Sequence, residues 1–285
     1  MRQIVTIFNV ILLLLTSVAY SQTSIPADIL IDRSGVLLKG KFYISEGEGK
    51  FPTVILLHGF PGNETDVLRL GSELSQAGIN VMTFNYSGTH KSQGLYSFEN
   101  TQKDIQAAFR FLHQPQNIRK YKVDTKRVYL GGYSYGGGMA LTYAANHPEI
   151  AVVFSIAGTD HGEFFREYFR NKEFAVMIDG MFEQLKAPSG PVRFAEGTMP
   201  KETTPEIIAE SDSTIDLRRS APLLAQKDIL LIGGWDDQNV TIDHHILPLY
   251  RALNNMKAKN VEIVAFQDDH AFRNSRAELA QTIIQ

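Results

Sequence analysis

Residues 131–138 read GGYSYGGG, one serine among five glycines with a tyrosine on either side. Glycine weakens strands and helices alike, so this density answers a geometric demand. The centre, Gly132-Tyr133-Ser134-Tyr135-Gly136, has the form G-x-S-x-G, in which glycines clear space for a serine hydroxyl on a strained strand-to-helix turn. A free serine hydroxyl is a poor nucleophile and needs a base, itself oriented by an acid. Downstream, the candidate bases are His147, His161, His244, His245 and His270. His147 closes a helical stretch before Pro148, where a cation suits the helix dipole, so its expected role is structural. His244 and His245 fall inside a helical stretch and are expected to be solvated or packed. Candidate acids after apolar runs are Asp160, Asp236 and Asp237.

Those residues need a frame. Ile29–Asp32 and Val36–Ile44 flank Arg33-Ser34-Gly35 and read as a hairpin. Six further apolar runs follow: TVILL (53–57), NVMTF (80–84), RVYLGG (127–132), AVVFSIAG (151–158), DILLIGG (228–234) and VEIVAF (261–266). They are too uniformly apolar for a half-exposed sheet and read as strands buried on both faces. Helical stretches near 64–77, 98–113, 137–146, 241–256 and 271–284 alternate with them, which implies a doubly wound, mostly parallel sheet of eight strands. Ligands in such sheets bind at the carboxyl ends of the strands, so those ends are where a site is expected. Residues from about 160 to 226 break the rhythm. There Phe174, Met177, Ile178, Met181, Phe182 and Leu185 form one apolar stripe at helical spacing, so the segment reads as a helical insertion.

Competing chemistries lack their residues. Neither HExxH nor a cysteine ligand is present, and adjacent histidines on a helix diverge by about 100°, so no metal is expected. The glycines do not form G-x-x-x-x-G-K-[ST], so no phosphate cradle and no cofactor is expected.

The turn around Ser134, together with HGFPGN (58–63) directly after a strand, resembles the α/β-hydrolase superfamily over essentially everything after the first 21 residues. That resemblance implies the chain order Ser, acid, His. It selects His270 in AFQDDHAF as base and Asp237, three residues before Val240, as acid, ahead of Asp236 and Asp160. It makes His58 structural and assigns the oxyanion hole to the backbone N–H groups of Phe60 and Tyr135; Pro61 has no N–H to offer. Serine at the turn implies acyl transfer to water. The resemblance is nearest to secreted bacterial esterases and serine aminopeptidases, so a small or medium acyl ester is the expected substrate, with a peptide, or acyl transfer to an acceptor other than water, as the alternative.

The whole chain has 285 residues, 44% hydrophobic and 21% charged, with net charge −3, which suits one sizeable core and gives no sign of a nucleic-acid partner. MRQIVTIFNVILLLLTSVAYSQ has the layout of a secretory signal peptide cleaved after Ser21, so residues 22–285 are expected to form one exported domain with no lasting membrane insertion. With no cysteine there are no disulfides and no lipid anchor of the lipoprotein type.

Overall fold

The computed structural model describes residues 25–65, 67–210 and 215–285. The signal-peptide expectation for residues 1–21 lies outside the described residues. No helix among the described residues is long and apolar enough to cross a membrane.

Eight strands form one sheet: β1 (Ala27–Arg33), β2 (Val36–Tyr43), β3 (Phe51–Leu57), β4 (Asn80–Phe84), β5 (Val123–Tyr133), β6 (Val152–Ile156), β7 (Asp228–Gly234) and β8 (Asn260–Phe266). Their order is β1-β2-β4-β3-β5-β6-β7-β8. β2 runs antiparallel to both β1 and β4, and the remaining neighbours are parallel. Parallel neighbours need crossovers, and helices supply them on both faces. The period of two is visible in β3: Ile55 and Leu57 enter the core under α2 (Phe98–Leu112) and α4 (Tyr135–Asn146). Val54 and Leu56 enter the opposite core, under α1 (Leu70–Gln76) and the C-terminal helix Arg276–Ile284. A strand buried on both sides has no reason to alternate in polarity, which is why these runs are continuously apolar.

Four expected elements differ in detail. β8 is an edge strand and only partly buried, because a single neighbour covers it. The helix expected from 64 is interrupted by Leu68 (φ 51°) and Arg69 (φ 66°), so α1 starts at Leu70. The stretch expected from 241 opens as a wider π-turn over Ile242–Ile246 before the helix Leu247–Asn255. The last helix starts at Arg276 rather than near 271, because the Asp268 carboxylate takes the amides of Asn274 (2.8 Å) and Ser275 (2.9 Å) and holds 268–275 as a loop.

The insertion between β6 and β7 carries α5 (His161–Arg170), capped by Asp160, and α6 (Lys172–Lys186), capped by Asn171. Each cap carboxylate or amide oxygen takes two helix N–H groups, worth about 1 kcal/mol apiece. After α6 the chain crosses over the sheet's end, where Val192 and Phe194 bridge to Thr89 and Tyr96. The short helix α7 (Pro205–Glu210) follows. Arg166 and Arg218 clamp Asp216 at 2.7 and 3.0 Å, fastening the segment's return to α5 beside the sheet.

Candidate active site

Ser134 lies between the last residue of β5 and the first of α4, with φ 55° and ψ −122°. Such a backbone costs a non-glycine residue roughly 1–3 kcal/mol and persists only where its surroundings over-determine it. They do. The Ser134 N–H donates to the Ile156 carbonyl at 2.8 Å, and its carbonyl accepts from Thr159 and Gly137 at 3.0 Å each. Close approach explains two glycines. A Cβ on Gly136 would sit 2.6 Å from the carbonyl oxygens of both Leu57 and His58, and one on Gly59 would meet the Ser134 Cβ at 3.1 Å. The loop after β3 is thereby pressed against the serine.

Loops after β7 and β8 bring the next two residues to the same place. His270 Nε2 lies 3.1 Å from Ser134 Oγ, and its Nδ1 lies 2.6 Å from Asp237 Oδ2. Asp237 is 2% exposed, and its other oxygen accepts the amides of Asn239 (2.8 Å) and Val240 (2.9 Å). That second pair fixes the carboxylate plane and leaves Oδ2 for the imidazole.

The other candidates sit elsewhere. Asp236 accepts from Gln267 at 2.8 Å on the surface. Asp160 caps α5, accepting from Gly162 (3.0 Å) and Glu163 (3.2 Å), and its amide donates to His245 Nδ1 at 3.2 Å. Its carboxyl is pushed up to about 7, first by burial and then by the Asp216 carboxylate. His147 stacks on Tyr143 at 3.7 Å and pairs with Glu149. His58 Nδ1 bonds the Gly59 carbonyl at 2.7 Å, and burial lowers its pKa to about 4, so the ring is neutral and braces its own loop. Burial likewise holds His245 near 4 and His161 near 3. His161 stands edge-on to Phe98 and Tyr135, 5.1 Å from each, and neither ring nitrogen has a partner. Sequence reasoning gave the buried His161 no role. The capping spacing Asp160-x-x-Glu163 was a signal for where α5 begins and thus for its burial.

Phe60 and Tyr135, whose amides are the expected oxyanion donors, line the same cavity as Ser134. Tyr135 is the first residue of α4, so its N–H has no partner one turn back within the helix. Among the described residues, the Phe60 amide does not donate within the turn and loop hydrogen bonds either. Both residues, with Ser134 and His270, line a cavity of about 1030 Å³. The apolar stripe lines it too: Phe174, Met177, Ile178, Met181 and Phe182 face this space, whereas Leu185 joins the main core. Phe60 stacks on Tyr96 at 4.6 Å and meets Phe182 at 5.7 Å, joining the loop after β3 to the insertion.

Residues 52–194, half of the chain, match the sequence profile of the alpha/beta hydrolase fold. The chain belongs to this family. The matched segment contains Ser134, Phe60 and Tyr135, while Asp237 and His270 lie beyond it. Among curated proteins, a proline iminopeptidase of Saccharolobus solfataricus is 28% identical over 115 residues, 40% of this chain and 35% of that one. The quorum-quenching protein AidA of Acinetobacter baumannii is 28% identical over 135 residues, 46% of this chain and 43% of that one. The chain thus spans well under half the length of these relatives. Among solved structures, a Pyrococcus furiosus esterase superposes with a TM-score of 0.66 at 20% identity, covering 91% of this chain and 88% of that one. The acylaminoacyl peptidase of Pyrococcus horikoshii gives 0.63 at 17% identity, covering 92% of this chain and 40% of that one. At these identities the likeness is one of fold. Esterases and peptidases both occur among the proteins that share this fold.

Proposed function

We propose that the protein is an exported serine hydrolase that cleaves a carboxylic ester through a Ser134–His270–Asp237 triad and an acyl-enzyme. The observation that carries this is the imidazole of His270, bridging Asp237 at 2.6 Å and Ser134 at 3.1 Å. With Nδ1–H donated to Asp237, Nε2 is the free base. Ser134 Oγ attacks the acyl carbonyl while Nε2 takes its proton, and the carbonyl electron pair moves onto oxygen. The amides of Phe60 and Tyr135 stabilise that oxyanion by a few kcal/mol each. Collapse expels the alcohol, protonated by His270, and leaves Ser134 acylated. Water then repeats the sequence and releases the acid. Asp237 holds the tautomer and stabilises the imidazolium.

An ester with an apolar acyl chain is favoured because the α6 stripe lining the Ser134 cavity, Phe174, Met177, Ile178, Met181 and Phe182, is aromatic, aliphatic and thioether, an environment suited to such a chain. The relatives named as proline iminopeptidases support a second reading, removal of an N-terminal residue from a peptide by the same residues. The test is Ser134→Ala against a panel of p-nitrophenyl acyl esters and aminoacyl amides. The wild type should turn over esters best, and the variant, folded as judged by circular dichroism, should turn over neither. Persistent turnover in the variant would remove the covalent mechanism. Wild-type preference for aminoacyl amides would select the peptidase. Export rests on the composition of residues 1–21 and is tested by N-terminal sequencing of the mature protein.

A further inference from the structure

Tyr133 ends β5 and immediately precedes Ser134, while His270 is 137 residues away in the chain. The Tyr133 hydroxyl donates to the backbone carbonyl of His270 at 3.0 Å. Its ring also lies against the imidazole, with centroids 5.0 Å apart.

The loop that carries His270 is anchored at both ends. The Asp268 carboxylate accepts from the amides of Asn274 and Ser275 and from Ser275 Oγ at 2.7 Å. Its carbonyl takes the Asp236 amide at 3.1 Å, and Phe272 is wholly buried as a plug. None of these contacts is made by His270 itself; Asp269 closes a turn around it, accepting the amides of Ala271 (2.8 Å) and Phe272 (3.2 Å). Among the described residues, the one hydrogen bond to the His270 main chain is the one from Tyr133.

We propose that Tyr133 is a positioning residue that sets His270 over Ser134 from the position adjoining the nucleophile, so that the base and the hydroxyl it activates share one rigid support. This rests on the assignment of Ser134 and His270 made above. The physical need is distance. A gap of 3.1 Å from Nε2 to Oγ is already at the long end for an O–H donor, and a misplacement near 1 Å can cost about a hundredfold in rate. β5 is a central strand, held by β3 on one side and β6 on the other, and is therefore a stiffer reference than a loop. Burial pushes the Tyr133 hydroxyl up to about 12, so it remains a donor throughout the neutral range.

The test uses Tyr133→Phe in the full chain, which keeps the ring and removes only the hydroxyl. Steady-state kinetics on p-nitrophenyl butyrate and the second-order rate of fluorophosphonate labelling are measured beside thermal unfolding. The expected result is a loss of about tenfold in both kcat and labelling rate, with KM within about twofold and folding retained, because the defect lies in activating the serine. Wild-type kcat and labelling would overturn the proposal, as would a loss of kcat that merely tracks a loss of folded protein. Ser134→Ala separates the two levels. Should it keep turnover, the site assignment itself fails; should it be inert while Tyr133→Phe behaves as wild type, only the role of Tyr133 fails.

Discussion

Replacing Asp237 by asparagine changes one atom and should nearly stop the enzyme. Oδ1 of Asp237 accepts the amides of Asn239 (2.8 Å) and Val240 (2.9 Å), while Oδ2 faces His270 Nδ1 at 2.6 Å. An amide in that place must keep its carbonyl oxygen on the two N–H groups. The reverse orientation would leave both without an acceptor, at about 1–3 kcal/mol each. Its NH₂ therefore points at Nδ1, which must then accept, and the ring proton moves to Nε2. A protonated Nε2 cannot take the proton of Ser134. The loss expected from a trapped tautomer is about 10⁴ in kcat, or ~5.5 kcal/mol at 1.36 kcal/mol per decade. Steady-state turnover of p-nitrophenyl butyrate measures it, with circular dichroism showing that the fold survives. Asp236→Asn touches only the contact with Gln267 and should stay within about twofold. Asp160→Asn keeps an acceptor for the α5 cap and should cost less than about tenfold. Activity of Asp237→Asn within tenfold of wild type, or a crippled Asp160→Asn, would refute the assignment of the acid.

Three further outcomes are expected. Trimming Phe174, Met177 or Met181 to alanine should shift the preferred acyl length or KM while leaving the intrinsic chemistry alone, since all three line the cavity and none belongs to the Ser134–His270–Asp237 set; unchanged selectivity across an ester series would make the stripe mere packing. Exhaustive EDTA treatment should leave turnover intact, and activity lost to EDTA and restored by zinc would contradict the serine triad. Asp160 holds its proton more tightly folded (about 7) than its ordinary value of 3.8, so its contribution to stability should fall as pH rises from about 4 to about 7. Across that window the Tm of Asp160→Asn should gain on wild type, and a constant gap would contradict the shift.

Much of the frame was legible because its signals are local. Continuous apolar runs such as DILLIGG mark strands covered on both faces, and β7 occupies that run. β5 reaches back to Val123 through Asp124, Lys126 and Arg127, whose charges hide a strand whose beginning is partly exposed. Helix α3 (Pro115–Lys120) was missed because it is short, although Pro115 at its first position was a usable sign. The stripe in α6 showed its period but not its destination: the same spacing serves a core or a cavity wall, and only the packed chain distinguishes Leu185 from Met181. At the site, the glycines around Ser134 announced a tight turn. Nothing in the type of Tyr133 announced its bond to a carbonyl 137 residues away.

The central claim is that Ser134, activated by His270, forms a covalent intermediate. Its most direct measurement is labelling of the native protein with a fluorophosphonate, followed by proteolysis and mass spectrometry of the adduct. One adduct is expected, on the peptide containing Ser134, formed rapidly in wild type, abolished in Ser134→Ala and slowed in Asp237→Asn. An adduct on another residue, or no adduct in a protein that turns over esters, would contradict the claim.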